Sequence, residues 1–349
     1  MAAMLEFRTQ GFNPYAVKYS PYYDNKIAVG ASANFGIVGN GKTYVLNLTN
    51  QGTVVVEKTF DTNDVQYDVA WSEINERQVA VACGDGSIKL YDIGLEPGFP
   101  VMNFHEHKRE TFSVCWNPVT KDNFVSSSWD GTVKIWSPTR TDSIATLPVG
   151  SCTYSTSFCP SNPAVISAAS SDSHLRIFDL RTPVSAKYHL TATIPVHAAP
   201  PGIPGHVPAV GPGEVLTHDW NKYNHSVIAT GGVDKLLRTF DIRNPGGGPL
   251  SLMDGHRYAV RRLAWSPHES DVLLSAAYDM TVRVWTDGSK YPVDPAMPVL
   301  RGKELGLMNR HTEFAMGVDW CLFGRGWVAS VGWDERVLLW DSRPFLLNR

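Results

Sequence analysis

The chain is expected to be an all-β protein assembled from about seven copies of one small antiparallel sheet, and three features of the sequence carry that expectation. An aspartate is followed six residues later by an aromatic ring at Asp130 to Trp136, Asp279 to Trp285 and Asp334 to Trp340, with looser copies at Asp85 to Tyr91, Asp172 to Phe178 and Asp234 to Phe240. Fourteen residues before these six aspartates stand Trp71, Trp116, Phe158, Trp220, Trp265 and Trp320. Three copies add a histidine nine residues before that second aromatic, at His107, His256 and His311, so the register holds over about thirty residues three times. Self-similarity at such a period marks a repeat architecture.

Each element follows from local pattern. "TVKIW", "TVRVW" and "RVLLW" alternate in period two with β-branched and aromatic residues, and Asp-Gly or an equivalent stands at the turns, which is strand and hairpin chemistry. One such sheet cannot bury both faces alone, so the copies must stack, radially as blades or linearly as a solenoid. The first copy is irregular: "YAVKYSP" at 15–21 matches "YAVRRLAWSP" at 258–267 and puts Tyr19 where other copies carry Trp, but Ala33 stands where the turn Asp is expected. After Trp340 too little chain remains for a last outer strand, whereas "LEFRT" at 5–9 alternates apolar and polar residues. Leu5–Thr9 is therefore expected to pair onto the seventh sheet and lock a ring, removing an exposed edge. Neighbouring aromatic landmarks lie 42 to 55 residues apart except Phe158 and Trp220, which are 62 apart. The surplus is a Pro/Gly-rich insertion at about residues 192–213, expected to be an exposed loop in a single domain spanning 1–349. A smaller insertion, "SKYPVDPAMPVLRGKELG", precedes the seventh copy.

Composition narrows the function. Lys plus Arg is 31 against 34 Asp plus Glu with no basic block, so no nucleic acid partner is expected. Five cysteines without CxxC or zinc spacing read as buried free thiols of a reducing compartment, and no metal or cofactor is expected. No apolar run reaches membrane-spanning length and the first residues lack a signal-peptide core, so no direct membrane insertion is expected. "GIVGNGKT", Gly36 to Thr43, satisfies the phosphate-loop string, but that chemistry needs a helix after the lysine, and "YVLNLTNQGTVVVEKTF" is strand. Ser, His and Asp recur in several copies, as a structural role requires and a single active site does not. No catalytic residue is expected; the chain reads as a binding protein rather than an enzyme.

The landmarks resemble the WD40 repeat, whose network joins a loop His, a turn Asp, a strand Ser or Thr and a Trp indole, because a buried indole N–H needs a partner. That resemblance implies a seven-bladed β-propeller closed by the N-terminal strand, with His107, Asp130, Trp136, His256, Asp279, Trp285, His311, Asp334 and Trp340 in the structural network. A closer resemblance is carried by "YAVKYSPYYDNKIAVGASANFGIVGNG", "YDVAWSE", "HKRETFSVCWNP", "YSTSFCPSNP", "HDWNKYN", "GHRYAVRRLAWSPHESDVLLSAAYDMTVRVW" and "HTEFAMGVDW". In order and over nearly the whole chain, these look like the receptor family for the type 2 peroxisomal targeting signal. The resemblance implies a cytoplasmic receptor cycling to the peroxisome. Its cargo would be matrix proteins, for example 3-ketoacyl-CoA thiolase, with an N-terminal nonapeptide of the form Arg/Lys, Leu/Val/Ile, five variable residues, His/Gln, Leu/Ala. An import co-receptor and the peroxisomal docking complex complete its partners. The rival reading is a generic scaffold, such as a chromatin or ubiquitin-ligase subunit.

That signal is a short amphipathic helix with one basic end, a ligand for an apolar groove. On propellers, ligands usually meet the face carrying the loops into each first strand and the residue before the turn Asp. This points to Tyr67, Trp129, Tyr154, Tyr258, Phe314 and Trp333, with Trp129 and Trp333 expected to receive the signal's leucines. The basic end calls for carboxylates on the same face. Glu110 and Glu214, each six residues before a first-strand tryptophan, and Asp64, one residue earlier in its own copy, are the expected rim.

Overall fold

A computed structural model of the chain describes residues 4–96, 98–197, 213–291 and 299–347. Seven antiparallel sheets follow one another, with innermost strands Asn13–Tyr19, Gln66–Trp71, Thr111–Trp116, Thr153–Cys159, Val215–Trp220, Val260–Trp265 and Ala315–Trp320, numbered blades one to seven. In each blade the next strands pair outward in chain order, as hairpins with short turns allow. Seven apolar clusters lie between consecutive blades, the last joining blade seven to blade one, so neither face of any sheet is left to water. The molecule is a closed seven-bladed β-propeller.

Closure takes the expected form. Met4–Arg8 pairs antiparallel with Arg336–Asp341, Met4 opposite Trp340 and Arg8 opposite Arg336, and the Thr9 N–H donates to the Glu335 carbonyl at 3.0 Å. Leu5 and Phe7 pack into the cluster between blades seven and one.

The landmark residues form a hydrogen-bond network in blades three, six and seven. Trp136 Nε1–H donates to Ser126 Oγ at 2.8 Å, Ser126 Oγ lies 2.8 Å from His107 Nε2, and His107 Nδ1 lies 2.9 Å from Asp130 Oδ2. Blade six repeats it through Trp285, Ser275, His256 and Asp279, and blade seven through Trp340, Ser330, His311 and Asp334. Blade five holds a further version: His197 Nδ1 lies 2.7 Å from Asp234 Oδ1 and its Nε2 lies 3.1 Å from Thr230 Oγ1, while Phe240 stands in the tryptophan's place and Arg238 donates to Asp234 Oδ2 at 2.6 Å. His197 stands 37 residues before Asp234, against 23 in the other copies, because the Pro/Gly-rich insertion falls between them. Of that insertion, 192–195 belong to the outer strand Leu190–Pro195, and 198–212 lie outside the described residues.

The second insertion clasps two blades. Leu300–Arg301 pairs in parallel with Ser251–Met253 at the edge of blade five, and Lys303–Met308 then forms the outer strand of blade six. Along the axis, aspartates of the innermost strands bind the next blade: Asp68, Asp219 and Asp319 accept backbone N–H groups of Val114, Trp265 and Tyr19 at 3.2, 2.8 and 2.8 Å. The same carboxylates pair with Arg262, Lys222 and Lys18. All five thiols are free, Cys83, Cys159 and Cys321 buried and Cys115 and Cys152 half-buried.

Candidate functional site

Every innermost strand slips register near its start, between Pro14 and Ala16, Gln66 and Asp68, Thr111 and Ser113, Thr153 and Ser155, Val215 and Thr217, Val260 and Arg262, and Ala315 and Gly317. Such a bulge leaves one residue unpaired and re-aims its side chain. The seven residues so released are Tyr15, Tyr67, Phe112, Tyr154, Leu216, Arg261 and Met316, one per blade, around one mouth of the axis. Six are apolar or aromatic and one is a buried cation.

The aromatic members join the rim residues in a continuous strip across blades. Tyr278 meets Phe314 at 4.9 Å between ring centroids, Phe314 meets Trp333 at 5.3 Å, Trp333 meets Tyr15 at 5.6 Å and Tyr15 meets Tyr67 at 5.6 Å. Tyr67 stacks on Phe112 at 4.2 Å, Phe112 on Trp129 at 4.8 Å, and Trp129 meets Tyr154 edge-on at 6.2 Å. Backbone bonds pair the rim positions: Trp129 N–H donates to Glu110 O, Trp333 N–H to Phe314 O and Tyr278 N–H to Ala259 O, each at 3.0 Å. The strip brings together Tyr67, Trp129, Tyr154, Phe314 and Trp333 of the expected anchors. Tyr258 is 60% exposed on the blade-six loop and makes no ring contact among the described residues.

The expected carboxylates divide into two groups. Burial pushes the Tyr67 hydroxyl up to about 12, and the nearby charges of Glu110 and Asp64 add to the shift, so these two carboxylates share one neighbourhood over blades two and three. Glu214 stands apart on blade five, where its Oε2 accepts the Tyr154 hydroxyl at 2.9 Å. Glu110 already has a cation nearby: Arg109 Nε is 3.7 Å from its Oε2, and the same guanidinium lies over the Trp129 ring at 5.5 Å.

Sequence reasoning missed Tyr15, Phe112, Tyr278 and Arg261, although a signal for them existed. All seven bulge residues sit four positions before the first-strand aromatic, and Tyr278 immediately precedes its turn aspartate as Trp129 and Trp333 do. Sequence reasoning read the phosphate-loop string as a loop followed by strand, as found, but did not place that loop beside the strip. No helix follows Lys42, which lies in the strand Gly41–Leu48 and pairs with Asp61. Instead, Asn34, Phe35 and Gly36 take left-handed backbone conformations with φ of 49°, 56° and 68°. Phe35 N–H donates to Asn13 Oδ1 at 2.8 Å, and the Tyr15 hydroxyl donates to the Phe35 carbonyl at 2.6 Å. A Cβ on Gly36 would stand 2.6 Å from the Tyr15 hydroxyl, so only glycine fits. The loop lays Phe35 against Trp333 and holds Ile37 and Val38, 82% and 72% exposed, beside the strip.

The family described as "WD domain, G-beta repeat" matches residues 98–137 and 247–286. The Saccharomyces cerevisiae "Peroxisomal targeting signal 2 receptor" is 36% identical over 97% of this chain and 100% of its own length. The chain belongs to the peroxisomal targeting signal 2 receptor family. Membership extends across kingdoms: the Arabidopsis thaliana "Peroxisome biogenesis protein 7" is 40% identical over 95% of the chain and 96% of its own length, and the Mus musculus "Peroxisomal targeting signal 2 receptor" 36% over 98% of both. In this family member the aromatic strip and the carboxylates that flank it share one face of the propeller.

Proposed function

We propose that the chain is an import receptor that binds the N-terminal type 2 targeting signal of peroxisomal matrix proteins as an amphipathic helix on this face. With a co-receptor it passes folded cargo to the peroxisomal docking machinery, cycling between cytoplasm and peroxisome. The observation that carries the reading is the strip from Tyr278 to Tyr154 with Asp64, Glu110 and Glu214 beside it. Apolar anchors take the helix's leucines, Trp129 and Trp333 foremost, and the carboxylates take its basic end. A nonapeptide helix is marginal in water, and ordering it on binding costs on the order of 2–5 kcal/mol. A co-receptor covering its outer side offsets that cost.

Charge reversal tests the reading. A half-shielded ion pair contributes about 1 kcal/mol or more, and a like charge adds repulsion. Glu110→Lys and Glu214→Lys are each expected to weaken binding of a thiolase N-terminal peptide at least tenfold in fluorescence anisotropy, with partial rescue when the peptide's first arginine becomes glutamate. The weakening should shrink as salt rises, because screening acts on rim charges more than on apolar contacts. Normal binding by both variants at low salt would overturn the assignment of the basic end to this rim.

A further inference from the structure

Arg261 is an anomaly in the ring of bulge residues. It is 5% exposed, its Nη2 has no hydrogen-bond partner, and no carboxylate lies within ion-pair distance of it among the described residues. Asp68, an acidic side chain of the axis that acts on its charge, is taken by the neighbouring Arg262 at 2.9 Å. Burial pulls its pKa below the ordinary arginine value, with Tyr278, Arg262, Asp68 and Tyr15 as its charged or ionisable neighbours. As the bulge residue of blade six, Arg261 holds the ring position that Tyr15 holds in blade one, and Tyr15 and Tyr278 of the aromatic strip are among the groups that act on its charge. A second donor is orphaned next to the same tyrosine: Trp333, whose ring meets Tyr15 at 5.6 Å, has a buried indole N–H without a partner.

A buried cation without a counter-charge is destabilising, and a fold keeps one where another state supplies the acceptor. What arrives on this face, on the reading above, is a helix, and the last carbonyls of a helix are free acceptors carrying the negative end of its dipole. The positive end cannot rest over Arg261, but it is matched by Asp64 and Glu110 on blades two and three, across the mouth from blade six.

We propose that Arg261, with the Trp333 indole, binds the carbonyl groups of the signal helix's last turn, so that the helix lies in one polarity: basic N-terminal end over blades two to four, where Asp64, Glu110 and the Tyr154-held Glu214 meet it, and C-terminal end over blades six and seven. The five donors of a guanidinium suit a cluster of carbonyls better than the point charge of lysine. This inference rests on the signal-binding reading and adds to it a direction and a second charged contact.

The test uses the full chain and a thiolase N-terminal peptide. A photoreactive residue at the peptide's second position should crosslink to blades two to four, and one at its ninth position to blades six and seven; this is read on the wild type and needs no variant to fold. Arg261→Met should weaken the peptide at least tenfold with a melting temperature no lower than wild type, and Arg261→Lys should fall between. A glutamate placed just after the ninth position should tighten binding to wild type and not to Arg261→Met. Crosslinks in the reverse order, or unchanged affinity in Arg261→Met, overturn the polarity and leave the signal site standing. A peptide that does not bind wild type, or that crosslinks nowhere on this face, overturns both.

Discussion

Ser126 shows how much rests on a single hydroxyl. Its oxygen accepts the Trp136 indole N–H and faces His107 Nε2, and the His107 imidazole in turn donates from Nδ1 to Asp130. Ser126, His107 and Trp136 are buried, and Asp130 is half-buried at the turn. Ser126→Ala leaves an indole donor and an imidazole nitrogen without partners, so it is expected to cost on the order of 2–3 kcal/mol, read as a lower urea midpoint with unchanged slope. His218 is a different kind of buried histidine. Its Nε2 approaches Ser167 Oγ at 2.7 Å, Trp220 Nε1–H donates to the same oxygen, and its Nδ1 has no partner. Ser167 donates to the Ser157 carbonyl at 3.2 Å, which leaves its oxygen to accept from the imidazole Nε2. Burial first of all pulls its pKa down to about 4.

Among the elements, the N-terminal strand has the clearest energetic role. Removing residues 4–9 strips five ladder positions from Arg336–Asp341 and uncovers the half-buried Leu5 and Phe7 contacts. The loss is expected to be on the order of 3 kcal/mol, a fall of roughly 5 °C or more in melting temperature by scanning fluorimetry, together with self-association in size-exclusion chromatography through the bared edge. This strand was legible in the sequence because its alternation stood beside a seventh unit one strand short. The His, Asp and Trp positions were legible because one geometry repeats at one spacing. His197 was hidden for the opposite reason: the insertion stretches its spacing while the folded contact stays the same. Five of the seven bulge residues escaped, all but Tyr67 and Tyr154, because alternation assigns inward and outward faces only while the register holds, and the mouth is where it slips. Anchor types could be named from composition at the rim, but not that Glu110 shares its place with Arg109, or that Tyr154 holds Glu214.

At the scale of the whole ring, acid is the revealing variable. The turn aspartates Asp130, Asp279, Asp334 and Asp234 are held below the ordinary carboxylate range, against the opposing effect of burial, by hydrogen bonds and charge from their histidines and neighbouring groups. Their contribution is complete above the unfolded value near 4 and is lost as pH falls through the lower folded values. His218 moves the onset upward. With a folded value of about 4 against an unfolded value of about 6.5, its contribution is complete above about 6.5 and declines by about 1.4 kcal/mol per pH unit down to about 4. The urea midpoint should therefore begin to fall below about pH 6.5 and fall more steeply below about 4. His218→Gln should flatten the first segment only; an unchanged profile in that variant would remove His218 as its cause. The pairing of residue 4 with residue 340 has its own consequence during synthesis. Met4–Arg8 is made before the strands of the other six blades and its partner Arg336–Asp341 after them, so six blades can stack on the nascent chain while the seventh stays open. The seam is thus the last edge of the ring to be covered.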